Sequence, residues 1–339
     1  MRMIEPLKLS CTYTQGYIIP IINYILKFPT IRIPCKDEYC IIIDRNILNK
    51  DRNLSYYISI CKFRNFGYKV DLIDSNTVTI ESVPINIKCL YFLSSILDKW
   101  KIVRITKDKN NNPIITFKYN NKEVSFKTFP YGIGICKISE TFIEEFYGDF
   151  NYSKKTIIDI GGFIGDTSIY FAINGAKKVY VYEPLQLAFK LLKDNIKLNN
   201  LDKIIIPKNV AIGSKNGSIE ISFSDSILAS SGYVANATNC SARRFNVEVQ
   251  DIISILDSIG NVDIIKLDCD GREYQVINRL VESGYIDKIN EGLIIEVHEN
   301  KYLGKLSDIT KPLRDSGFKT KIIKHSKGEI NLYILKAWR

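Results

Sequence analysis

From about residue 154 the chain alternates short, almost wholly apolar runs with longer segments whose apolar residues recur every three or four positions. "TIIDI" precedes a helical pattern from Asp166 to Asn174, and "KVYVYEP" precedes one from Leu185 to Asn199. "VDIIKLD" leads into one from Arg272 to Ser283, and "GLIIEVHE" into one near residues 305 to 316. Continuous apolar runs read as strands buried on both faces, and their alternation with helices predicts parallel βα units. The fold class expected is α/β, a Rossmann-like doubly wound sheet. "FKTKIIKH", a "SKGE" turn and "INLYILKA" then predict a C-terminal antiparallel hairpin.

The first part of the chain has a different texture. "INIKCLYFLSSILDKW" (85 to 100) carries Leu90, Leu93, Leu97 and Trp100 at helical spacing. "KIVRIT", "PIITFKY" and "EVSFKTF" are separated by Asn-rich turns, the pattern of a β-meander. Two parts are therefore expected: a smaller α+β region over 1–135, with no catalytic motif, and a second domain over 136–339.

Composition adds exclusions. Of the 339 residues, 45% are apolar and 25% charged, ordinary values for a globular chain. The net charge of +10 is spread along the chain and mildly favours anionic partners without choosing one. The basic stretch "KWKIVRITKDK" (99 to 109) alternates charge with apolar residues and reads as the wet face of a strand. The eight cysteines form no CxxC pair and read as buried thiols of a reducing compartment. The apolar stretch at 17 to 26 is broken by Pro20 and too short to span a bilayer, so a cytoplasmic protein is expected.

The strand ends carry the chemistry, since ligands of open α/β sheets bind beyond the carboxyl ends of the strands. Asp159 ends the first apolar run, Gly161, Gly162 and Gly165 form a turn, and Asp166 opens the helix. A GxGxxG dinucleotide fingerprint needs glycine where Ile160 stands, and no GK[ST] phosphate loop follows. A carboxylate at the lip repels a pyrophosphate, whereas S-adenosylmethionine brings an ammonium and a sulfonium. The turn thus points to that cofactor, its glycines admitting it and its aspartates attracting its cationic end. Glu183, at the end of the second run, is placed to accept hydrogen bonds from two ribose hydroxyls. Asn209 stands where an amide reaches an adenine edge or merely closes a turn.

Together "IIDIGGFIGDTSIYFAINGAKKVYVYEP", "DNIKLNNL", "NVAIG", "VDIIKLDCDGREYQVI" and "LIIEVHE" resemble the FkbM family of S-adenosylmethionine-dependent methyltransferases, over roughly residues 140 to 300. The resemblance implies a class I methyltransferase fold and methyl transfer to a hydroxyl of a sugar, glycolipid or other small molecule. It places Asp159, Gly161, Gly165 and Glu183 on cofactor motifs, and Lys266, Asp268, Glu296 and His298 on the later blocks. Where the family has Glu-Gly, this chain has Asp270-Gly271.

Strand periodicity puts Lys266 with Asp268, and Glu296 with His298, on one side of neighbouring core strands. Four polar residues there are costly unless paired. In-register strands pair Lys266 with Glu296 and Asp268 with His298. His298, one of two histidines, is then the expected general base, with Asp268 orienting its ring. Asp268 and Asp270 lack an evident third ligand, so no metal is expected. The Ser/Asn/Ala-rich segment 224–246 reads as a substrate loop, with Arg243 and Arg244 either gripping substrate or simply exposed. An RNA methyltransferase and a non-catalytic cofactor-binding regulator stay open as alternatives; no RNA-binding module is evident.

Overall fold

The computed structural model describes residues 30–33, 41–44, 54–223, 243–300, 302–326 and 330–339. The apolar stretch at 17–26 and residues 224–242 of the expected substrate loop lie outside these. The amino-terminal part holds a two-stranded antiparallel ladder of β1 (Thr30–Ile33) and β2 (Ile41–Asp44). Helix α1 (Leu54–Asn65) leads to strands β3 (Val70–Leu72), β4 (Thr77–Ile80) and β5 (Val83–Asn86). Helix α2 (Ile87–Lys99) follows, its amino end capped by the Asn86 side chain. Its apolar stripe is the expected one, with Leu90, Leu93 and Leu97 buried.

The predicted meander is β6 (Ile102–Lys107), β7 (Pro113–Tyr119) and β8 (Lys122–Lys127), paired antiparallel in sequence order. Ile102 and Ile105 face inward while Arg104 and Lys107 are exposed, the wet face anticipated. Helix α3 (Ile135–Phe142) then closes onto the second sheet.

That sheet is built from β9 (Thr156–Ile160), α4 (Asp166–Ile173), β10 (Lys178–Tyr182), α5 (Gln186–Leu198) and β11 (Ile205–Lys208). A side sheet interrupts, made of β12 (Ala211–Gly213), β13 (Gly217–Phe223) and β14 (Arg243–Asp251). Helix α6 (Ile252–Ile259), β15 (Val262–Leu267), α7 (Glu273–Glu282), β16 (Ile289–Glu299), α8 (Ser307–Asp315), β17 (Lys319–Ser326) and β18 (Asn331–Trp338) complete it. The order across the seven strands is β11-β10-β9-β15-β16-β18-β17, with β18 antiparallel to β16 and to β17. This is the class I methyltransferase fold. Strands are added to one side of β9 (β10, β11) and then, from β15 on, to its other side, and this switch between the parallel strands β9 and β15 opens a crevice above their carboxyl ends.

The first part packs tightly on the second. One apolar cluster runs from Ile60 through Phe142 to Ile334, so the chain on both sides of position 135 shares a core. The edge of β8 is satisfied by α5: Ser125 donates its amide to Asn199 Oδ1 at 2.9 Å and Lys127 to Asn195 Oδ1 at 2.7 Å. Unpaired edge groups would otherwise stay open to another strand. Residues 243–246, expected in a loop, are strand, because β14 pairs with β13 from Arg243↔Phe223 onward.

The glycine turn is set by protein packing. Gly161 has φ +79°, and a Cβ there would stand 1.8 Å from the carbonyl oxygen of Asp268. At Gly162 a Cβ would stand 2.1 Å from Val181 Cγ2. These glycines make room for β15 and β10, where cofactor access was expected. Gly165, at φ +91°, admits the chain into α4. Gly161→Ala combines a left-handed backbone with a clash against backbone, and is expected to destabilise by roughly 2–5 kcal/mol. Chemical denaturation showing a parental unfolding free energy would refute this account of the turn.

Candidate active site

Lys266 lies beneath the turn. Its cross-strand neighbour on β9 is Asp159, and its ammonium stands 3.3 Å from Asp159 Oδ1 and 3.7 Å from Asp268 Oδ2. It also donates to the carbonyls of Gly161 at 2.7 Å and Ile160 at 3.3 Å. Burial opposes its charge, but Asp159, Asp268, Asp166 and Glu296 outweigh that and raise its pKa. Asp159 Oδ2 accepts from Thr167 Oγ1 at 2.6 Å and Ser168 Oγ at 2.5 Å. Fully buried, Asp159 thus holds the start of α4 and Lys266; the expected role of drawing in the cofactor's ammonium is not what its contacts show.

The expected pairing of Lys266 with Glu296 is corrected. Lys266 stands opposite Ile294, and β16 runs beyond the end of β15, so Glu296 and His298 rise past the tip of β15. Glu296 instead lies 3.8 Å from Lys137 of α3 and 3.8 Å from His298 Nε2. Asp268 does stand near His298, an oxygen within 4.8 Å of a ring nitrogen, but it is not the direct partner of the ring. His298 Nδ1 lies 3.1 Å from Glu273 Oε1, and Nε2 lies 3.5 Å from Asp270 Oδ1. The even offset keeps every side chain on the anticipated face while changing its partner.

Glu273 opens α7 and accepts amide hydrogens from Cys269 and Gly271, both oxygens being used. It therefore orients His298 through Nδ1. Burial works against charge on His298, but Glu273, Asp268 and Asp270 overcome it and lift its pKa to about 10. These carboxylates make the ring hold its proton more tightly than a free imidazole, which works against the expected role of base. Burial raises Asp270 and Glu296, and Asp268 pushes both further. Asp268 itself lies below the usual range, because Lys266, Lys137 and His298 outweigh its burial.

Around the crevice, Glu183 is buried and accepts from the amides of Phe163 and Leu185, both at 2.8 Å. Burial pushes it up to about 8. Asp166 is buried too, pushed up to about 6, and accepts from Thr141 Oγ1 of α3 at 2.6 Å. Asn209 donates to the carbonyls of Glu183 and Pro184 and braces that turn, which occupies the amide nitrogen expected at an adenine edge. A cavity joins these parts, lined by Gly161, Glu183, Val210, Ile212, Asp268 and Asp270. Arg244, on β14, is exposed and bonded to Glu220. Of the cysteines among the described residues, Cys61 is buried and Cys89, Cys136 and Cys269 are half-buried.

A model of the methyltransferase FkbM domain matches residues 159–334, more than half of the chain. The chain belongs to the FkbM methyltransferase family. No curated protein matches it. Among solved structures it is similar to magnesium protoporphyrin IX methyltransferase from Synechocystis with bound SAM, at 17% identity over 60% of this chain and 78% of that one, TM-score 0.36. It is also similar to M. jannaschii TYW2 in complex with AdoMet, at 14% identity over 66% and 85%, TM-score 0.36. No helix among the described residues is long and apolar enough to cross a membrane.

The crevice of this FkbM domain suits S-adenosylmethionine. The Glu183 oxygens each keep a lone pair for a ribose hydroxyl, the floor is apolar, and carboxylates face the cationic end. Lys137 and Thr141 were missed in the sequence, and Glu273 was read only as an alternative base with Asp270. The first two lie on a short helix outside the family match, and Glu273 reads there as an ordinary first-turn carboxylate. Lys266→Met strands Asp159 in the core and is expected to destabilise by roughly 3–5 kcal/mol. Urea denaturation of the variant at the parental midpoint would remove Lys266 from this role.

Proposed function

We propose that this protein transfers a methyl group from S-adenosylmethionine to a hydroxyl oxygen of a sugar, glycolipid or other small molecule. One observation carries the reading: Asp268, Asp270, Glu296 and His298 converge at the tips of β15 and β16, and the aspartates border the cavity that Glu183 also lines. The cofactor supplies the methyl group on a sulfonium. The acceptor oxygen's lone pair forms the new C–O bond, the C–S pair returns to sulfur, and the hydroxyl proton must leave to a protein group.

Glu296 is our choice for that group. It is 11% exposed, and burial together with Asp268 raises its affinity for a proton. Lys137, 3.8 Å away, then faces the oxygen side of the reacting pair. Lys266 serves by holding Asp159 and the turn, a positioning role. The acceptor end carries four carboxylates, Asp268, Asp270, Glu273 and Glu296, against three basic groups, Lys137, Lys266 and His298. Such a surface repels phosphodiesters, which supports a neutral hydroxylated acceptor over RNA.

Two measurements test this reading. Glu183→Ala is expected to weaken S-adenosylmethionine by about tenfold to a hundredfold, on the order of 1.5–3 kcal/mol, in calorimetry. Glu296→Gln is expected to keep cofactor affinity and slow methyl transfer by roughly a hundredfold to ten-thousandfold, read with labelled cofactor against pools of sugars and glycolipids. Transfer at the parental rate in Glu296→Gln would reassign the proton acceptor, and full cofactor affinity in Glu183→Ala would reject the binding site.

A further inference from the structure

S-adenosylmethionine ends in an amino acid, so beyond its sulfonium it brings a carboxylate as well as an ammonium. The carboxylates of the crevice suit the ammonium and repel the carboxylate, which needs a cation of its own. Three basic groups stand around that end of the crevice: Lys266, His298 and Lys137.

Two of the three are committed. Lys266 donates to the carbonyls of Ile160 and Gly161 and meets Asp159 and Asp268, with 3% of its side chain exposed. His298 has Nδ1 on Glu273 and turns Nε2 toward Asp270 and Glu296, with 7% exposed. Among the described residues, the Lys137 ammonium pairs with Glu140 at 3.1 Å and Glu296 at 3.8 Å and takes no backbone carbonyl, and 18% of its side chain is exposed. An ammonium has three N–H donors, so one remains for a further acceptor.

Its place suits that acceptor. Thr141 lies one turn further along α3 on the same face and donates to Asp166 Oδ2 at 2.6 Å. Asp166 opens α4 directly after the glycine turn, so α3 carries Lys137 across the junction of turn and helix. With the ribose on Glu183 at the end of β10, the sulfonium lies toward Asp268, past β9, and the amino-acid end continues toward α3. Burial opposes the charge of Lys137, but Glu296, Glu140 and Asp268 outweigh it and hold its pKa well above the ordinary value.

We propose that Lys137 holds the carboxylate at the methionine end of S-adenosylmethionine, while Asp268 faces the ammonium; the inference rests on the cofactor site read at Glu183. Lys137 is then the group that tells the intact cofactor from one without its carboxylate. Because α3 precedes the family match, which begins at residue 159, this recognition comes from the amino-terminal region of this chain.

The test is calorimetry on the full-length protein with three ligands: S-adenosylmethionine, its decarboxylated analogue, and 5′-methylthioadenosine, which lacks the amino-acid end. The parent is expected to prefer S-adenosylmethionine to the decarboxylated form by about tenfold to a hundredfold, the scale of a hydrogen bond to a charged group. Lys137→Met is expected to abolish or reverse that preference while binding methylthioadenosine as the parent does, which also establishes that the variant is folded. A preference unchanged in Lys137→Met overturns the inference, since the carboxylate is then held elsewhere. A parent that binds methylthioadenosine but shows no preference overturns it whatever the variant does. Equal weakening of all three ligands in the variant overturns it as well, because Lys137 then only braces the fold. A parent that binds none of the three sinks the cofactor site on which the inference rests.

Discussion

The ammonium of Lys266, buried between β9 and β15, is the interaction on which the rest of the site depends. Its contacts with Asp159, with Asp268 and with the carbonyls of Ile160 and Gly161 join two strands to the turn between β9 and α4. A lone charge in that place would be prohibitive, and a lone Asp159 would be as costly. Each therefore requires the other, and the serine and threonine of α4 complete the shell of Asp159. The turn is held to β15 at the distance of backbone contact, which only glycine at position 161 permits.

From that fixed base the strands diverge in length. β15 stops at Leu267 while β16 continues to Glu299, and Glu296 and His298 stand beside the loop that carries Asp268 and Asp270. The loop is itself pinned by Glu273, whose oxygens take the amides of Cys269 and Gly271 and then the ring of His298. One buried carboxylate thus fixes both the loop and the imidazole. The result is a concentration of negative charge beside the cofactor crevice, tempered by Lys137 from a helix that precedes the family domain. These charges lie where the low dielectric makes each of them count.

Much of this was legible in the chain. The strand and helix runs from residue 156 onward, the terminal hairpin, the meander and the stripe of α2 follow from apolar periodicity, a local property. The glycine turn, Glu183 and the face shared by Lys266, Asp268, Glu296 and His298 follow from strand ends and the period of two. Family membership was visible for the same reason, since its motifs are short and contiguous.

What periodicity does not carry is register. A shift of two residues preserves every face and changes the direct partner, so the sequence placed His298 correctly on its side and near Asp268, while the carboxylates in direct contact with its ring are Glu273 and Asp270. Nor does it carry the company a side chain keeps: the glycines of the turn answer to Asp268, Val181 and Leu192, residues distant in the chain. The protonation of His298 is decided by three carboxylates on another strand-to-helix segment. Sequence alone determined the elements, their faces and the family, because these are encoded by neighbours along the chain. Only the tertiary structure decided the ion pairs, the charge on the histidine and the entry of Lys137, because electrostatic energy depends on distances in space that no local pattern records.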